Sequence, residues 1–179
     1  MPNGEPDDHR PSALEYIRSL PRELIERIAS GAAIGMVAFV MLYWSPKAFA
    51  VLTFLVASAM SWEWGRMVRG ASPDTGTVVH IVAVLVATVL AASDMAGLGI
   101  AVAVVGAIVV AALGFGDGRA QLSGAGVLYT GLPVVALGWL RGDEPLGFLA
   151  VLFVLLTVVV TDVAAYAAGR SMLFKMVCA

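Results

Sequence analysis

Met95–Gly116 reads MAGLGIAVAVVGAIVVAALGFG, 22 consecutive residues without a charged side chain. As a helix rising 1.5 Å per residue it would cover roughly 33 Å, enough to cross the roughly 30 Å hydrocarbon core of a bilayer. Its apolar residues follow one another without the period-2 alternation of a lipid-facing barrel strand. Inside lipid every backbone amide needs a protein partner, so the remaining reading is a helix.

Five more charge-free runs flank this one: Ile28–Pro46, Ala48–Trp62, Thr75–Ser93, Ala120–Leu140 and Pro145–Thr161, of 19, 15, 19, 21 and 17 residues. A spanning helix takes about 20 residues, within a range of roughly 17–25. Ala48–Trp62 falls short, but Lys47 can snorkel at one end, and Trp62 and Trp64 suit the headgroup layer at the other. Breakers fall between the runs, at Ser45-Pro46, Ser72-Pro73-Asp74, Gly114–Gly118 and Gly142–Pro145. The expected fold is all-α, a polytopic membrane protein with six transmembrane helices over 28–46, 48–62, 75–93, 95–116, 120–140 and 145–168. These form one helical domain over 28–170, between a polar tail (1–27) and a short C-terminal tail (171–179).

Composition agrees. Of the 179 residues, 60% are hydrophobic and 13% charged, and the mean hydropathy is +0.90. A soluble chain of this size cannot hide that much apolar surface, which excludes a soluble enzyme and a disordered chain. The net charge of −2 gives no basic field for nucleic acid. The single cysteine, Cys178, excludes an internal disulfide framework and a cysteine-based zinc site.

Lys and Arg set the orientation. With six helices, one side carries Arg10, Arg18, Arg22, Arg27, Arg66, Arg69, Arg119, Arg170 and Lys175, and the other carries Lys47 and Arg141. This asymmetry puts both termini in the cytoplasm. The first 27 residues hold six acidic side chains and do not resemble a secretory signal. Ser12-Ala13-Leu14-Glu15 fits a capping box for a short interfacial helix, and Pro21 can restart a helix into the first span.

Asp162 is the most informative side chain. The preceding Leu149–Val160 holds ten Leu, Val or Phe residues. Each contributes about −0.3 to −0.6 kcal/mol to insertion, against about +2.5 to +3.5 for an Asp at a helix centre. The block can therefore carry the acid into the membrane, where ionisable groups usually face a cavity or a partner. Thr161-Asp162 can equally mark a helix end at the interface. Asp162, Tyr166 and Gly169 share one helical face, which Arg170 flanks. An acid, a phenol and a guanidinium so placed suit a phosphate or metal-phosphate ligand; an aromatic belt with a snorkelling Arg fits the same spacing. Arg27 and Ser30 open the first span, where they suit an anionic headgroup or, alternatively, an anchor ahead of a small-residue face, Gly31-x-x-x-Gly35. Glu63 is expected to form a surface ion pair with Arg66 or Arg27. His80 reads as a packed or headgroup-level side chain, and Gly114-x-Gly116-x-Gly118 as a flexible turn.

Val160-Thr161-Asp162-Val163-Ala164-Ala165-Tyr166-Ala167-Ala168-Gly169-Arg170 resembles the T/S-D-x-x-A/G-Y-x-x-G-R segment of bacterial phosphatidate cytidylyltransferases, the CDP-diacylglycerol synthases. Three other pieces match in order. Arg27 to Gly31 resembles the family's R-x-x-S-G, and Glu63-Trp64 its E-W. Gly126-Val127-Leu128-Tyr129-Thr130-Gly131-Leu132-Pro133, with Leu140-Arg141 after it, resembles G-x-x-Y-x-G-L-P and the following L-R. The resemblance spans about Leu24 to Arg170. Family members then continue into a lysine-bearing S-P-K-K-T segment and further helices, which Ser171–Ala179 does not match. The chain therefore reads as a truncated or frameshifted product, or one piece of a split enzyme, inactive alone.

The resemblance implies a bacterial inner-membrane enzyme that uses CTP and phosphatidic acid and needs Mg²⁺. Asp162, Tyr166 and Arg170 would be its catalytic candidates, with Asp162 also a metal ligand. Arg27 and Ser30 would contact the lipid headgroup. The partner is a homodimer mate or a complementing C-terminal polypeptide. The competing expectation is a non-enzymatic polytopic protein, either a small transporter or a helical assembly partner. Its best support is Gly131 and Pro133, which can break the fifth helix.

Overall fold

The computed structural model describes residues 22–70, 74–114 and 118–177. The turn expected at Ser12 and the restart at Pro21 lie outside these residues, as do Ser72-Pro73 and the middle of the Gly114–Gly118 turn. Among the described residues there are six helices and no strand. They are α1 (Arg22–Trp44), α2 (Pro46–Arg69), α3 (Thr75–Ala91), α4 (Ala96–Leu113), α5 (Ala120–Gly142) and α6 (Gly147–Val177). The helices α2, α4, α5 and Gly147–Tyr166 of α6 are long and apolar enough to cross a membrane, and Ala29–Trp44 and Thr75–Ala91 are shorter apolar helices.

Helix ends follow local chemistry. Ser45 alone separates α1 from α2; its hydroxyl accepts from the Ala48 amide at 3.1 Å, and Pro46 opens α2 where its missing N–H costs nothing. The expected span 48–62 is only part of α2, which continues through Glu63–Arg69. Glu, Arg and Met are good helix formers, so charge alone does not end a helix. Gly70 does, at φ 115°, a conformation that side chains avoid. Asp74 caps α3 by accepting from the Thr77 amide at 2.9 Å. After α3, the Met95 amide reaches back to the Leu90 carbonyl at 2.9 Å, with Asp94 in the left-handed region at φ 60°. Pro133 lies inside α5 without interrupting it, so the helix break that would favour a transporter is absent.

The chain divides into two compact units, one ending at Ala38 and one beginning at Phe39. The first holds the start of α1, whose side chains from Ala29 to Val37 are exposed. In the second, α5 is the hub and touches α2, α3, α4 and α6. Ala83, Ala107, Val110 and Val127 join α3, α4 and α5. Ala57, Val84 and Val134 join α2, α3 and α5. Close approach depends on small residues, as is usual between helices in lipid. A Cβ on Gly106 would stand 2.6 Å from that of Ala83, and one on Gly124 would stand 2.7 Å from the Ala107 carbonyl.

Two arginines fix the ends of α5 to other helices. Arg119 donates from Nη1 to the Val68 carbonyl in the last turn of α2 at 2.8 Å. Arg141 donates from Nε to the Leu42 carbonyl in the last turn of α1 at 3.1 Å. Last-turn carbonyls lack intrahelical partners and carry the negative end of the helix dipole, so a guanidinium satisfies both needs. Arg141 is buried at 6% exposure, against the Phe148 ring at 5.8 Å. It is more deeply embedded than an interfacial anchor.

Candidate functional site

The Arg119–Val68 bond places the start of α5 at the end of the second unit that holds Arg66 and Arg69, and the Arg141–Leu42 bond marks the opposite end. Helix α6 starts beside Arg141 and runs 15 residues to Asp162, about 23 Å of rise, towards the arginine-rich end. Asp162 and Tyr166 lie one turn apart and exposed, Tyr166 at 63%. Residues 156–166 are exposed around the whole helix. A Cβ on Gly169 would meet nothing within 4 Å. Arg170 follows on the same helix. Arg27 and Ser30 stand near the start of α1, in the first unit.

Among the described residues no three His, Cys, Asp or Glu side chains stand close enough to hold a metal ion. One exposed carboxylate, Asp162, does not make an Mg²⁺ site.

The structure also gathers polar groups that are far apart in sequence. Arg69 Nε lies 2.7 Å from Asp74 Oδ2, and its Nη2 donates to the Thr77 hydroxyl at 2.8 Å. That hydroxyl in turn donates to Asp74 Oδ1 at 2.7 Å. Burial acts to raise the Asp74 pKa, but hydrogen bonds from the Thr77 hydroxyl and amide, with Arg69, outweigh it and hold the carboxyl below its ordinary 3.8. A depressed folded-state pKa stabilises the fold above the unfolded value, and that contribution is lost as pH falls through the folded value. Thermal midpoints measured from about pH 7 down to about pH 3 should therefore fall below pH ~4, and fall less in Asp74→Asn.

One turn further, His80 is fully buried. Its Nε2 lies 2.7 Å from the Thr130 hydroxyl, which donates to the Gly126 carbonyl at 3.0 Å. The hydroxyl's lone pair is thus left to accept, which puts the imidazole proton on Nε2. Thr130→Val removes that acceptor and strands a buried N–H, at an expected cost of about 1–3 kcal/mol. The loss should appear in the unfolding midpoint in detergent and be largely restored in Thr130→Ser.

Trp64 completes this wall. Its indole donates to the Leu122 carbonyl at 2.9 Å and stacks on Tyr129, with ring centroids 5.5 Å apart. Gly126 makes room for it, since a Cβ there would stand 2.9 Å from indole Cε2 and closer still to Nε1 and Cδ1. Gly126, Tyr129, Thr130 and Gly131 therefore form a packing face of α5. Glu63 and Arg66 are exposed and form no ion pair among the described residues, contrary to the expected surface pair.

The cytidylyltransferase family matches residues 25–175. The phosphatidate cytidylyltransferases of Brucella suis biovar 1 and Brucella melitensis biotype 1 are each 26% identical over 147 residues, 82% of this chain and 54% of theirs. That of Brucella abortus aligns to the same extent. The chain thus spans about half the length of the curated relatives it matches. No solved structure matches it. With most of its length inside the matched region, the chain belongs to the cytidylyltransferase family.

Proposed function

We propose that this chain is the N-terminal membrane portion of a phosphatidate cytidylyltransferase of a bacterial inner membrane. A phosphate oxygen of phosphatidic acid attacks the α-phosphorus of CTP. The new P–O bond forms as the bond to the β-phosphate breaks, and pyrophosphate leaves. No covalent enzyme intermediate is needed, so the protein's task is positioning and charge stabilisation. Family membership carries the reading; the relatives' names supply the substrate class.

Helix α6 brings Asp162, Tyr166 and Arg170 towards the arginine-rich end, which the positive-inside rule puts in the cytoplasm, where CTP is. Its bare circumference suits docking of a complementing polypeptide that carries the rest of the reaction centre. Arg27 and Ser30 contact the lipid headgroup in this reading.

The test is transfer of label from CTP into lipid. Membranes containing this chain together with the part of the Brucella suis relative that lies outside the match are given labelled CTP and phosphatidic acid. Lipid-soluble label is expected from the pair and not from the chain alone. If the pair assembles and gives no labelled lipid while the intact relative does, the reading fails.

A further inference from the structure

A cleft of about 930 Å³ opens between α2 and α3, lined by Ser58, Ala59, Trp62, Glu63, Arg66, Met67 and Ile81. Its size falls within the roughly 300–1,000 Å³ of ligand sites. Ser58, Trp62 and Arg66 form one row along α2, and Ala59, Glu63 and Met67 form the adjacent row. The deeper part is apolar in effect, because the Ser58 hydroxyl is already spent on the Phe54 carbonyl at 2.8 Å. The rim at the arginine-rich end carries one charge of each sign.

The state of those charges identifies an occupant. Neighbouring cations are committed elsewhere: Arg69 to Asp74 and Thr77, and Arg119 to the Val68 carbonyl. Glu63 and Arg66 are three residues apart, yet they form no ion pair and have no other partner among the described residues. Trp62, 45% exposed, provides an amphipathic ring beside them. A purely anionic headgroup satisfies Arg66 and is repelled by Glu63. A headgroup that joins a phosphate to a primary ammonium satisfies both. Its acyl chain would then run down the apolar wall from Met67 towards Ala59 and Ile81.

We propose that this cleft is a binding site for a zwitterionic phosphoethanolamine lipid, with its phosphate on Arg66 and its ammonium on Glu63. No residue of α6 lines the cleft, and lipid retention is read without cytidylyl transfer, so failure of either proposal leaves the other standing.

The test uses the full chain purified in detergent, with native mass spectrometry reading retained dioleoyl phosphatidylethanolamine against dioleoyl phosphatidylglycerol. Wild type is expected to retain phosphatidylethanolamine about tenfold better. Glu63→Gln should erase that preference by lowering phosphatidylethanolamine alone, and Arg66→Gln should lower both lipids. Both side chains are exposed, so the helices should persist; Ala59→Trp, which fills the cleft without touching the charges, should also lower both. Equal retention of the two lipids by wild type, or an unchanged preference in Glu63→Gln, would overturn the proposal.

Discussion

Asp162→Asn in the assembled enzyme is expected to lower CDP-diacylglycerol formation by about 10²–10³-fold, the usual scale for removing one preorganised electrostatic group. The substitution keeps the shape and removes the charge. Asp162 is exposed, so folding and membrane insertion should be unchanged. The measurement is lipid-soluble label from CTP, alongside protease protection of the inserted chain. Full activity in Asp162→Asn would return the reaction centre to other residues, since Asp162 lies inside α6 and does not mark a helix end.

Gly126→Ala is expected to have the largest effect on stability, about 3 kcal/mol. Overpacking of this kind costs roughly 1–3 kcal/mol. Displacing the indole also forfeits the bond to Leu122, worth about 1 kcal/mol, and part of the stacking on Tyr129. The extra methyl cannot retreat, because it is fixed to the backbone of α5. The ring must move instead. Unfolding midpoints in detergent give the magnitude, and the double variant with Trp64→Ala identifies the cause. If the methyl harms the fold only through the indole, the two substitutions will be strongly non-additive. Additive losses would locate the damage elsewhere.

These residues show why the sequence was legible in some places and opaque in others. The helices are readable because lipid demands long apolar runs, a requirement that α2, α4, α5 and Gly147–Tyr166 of α6 each meet alone, while Ala29–Trp44 and Thr75–Ala91 are shorter. The α2 boundary was not readable, because Glu63, Arg66 and Arg69 were read as helix limits, whereas the stop is the backbone conformation of Gly70. His80 was recognisable as a packed side chain, but its partner lies 50 residues away on α5, and nothing local points to Thr130. Arg141 enters the sequence reading only as a charge beyond the fifth span, while its bonding partner is a carbonyl 99 residues away on α1. The four family-like segments were visible together but carry different physical meanings. Gly126 to Gly131 is a face on which helices α2, α3 and α4 seat, whereas Asp162 to Tyr166 is exposed. A family pattern marks constrained positions and leaves open whether packing or chemistry constrains them.

The arginines at the two ends of α5 also bear on how the protein is made. A ribosome delivers α1 and α2 to the bilayer long before it finishes α5. Until then the last-turn carbonyls of both early helices must borrow partners from water or lipid headgroups. Arrival of Arg119 and then Arg141 closes first one end of the bundle and then the other. The nascent bundle is thus latched late, by its fifth helix, and a ribosome stalled before Arg141 would leave α1 without the bond that ties its end to the other helices.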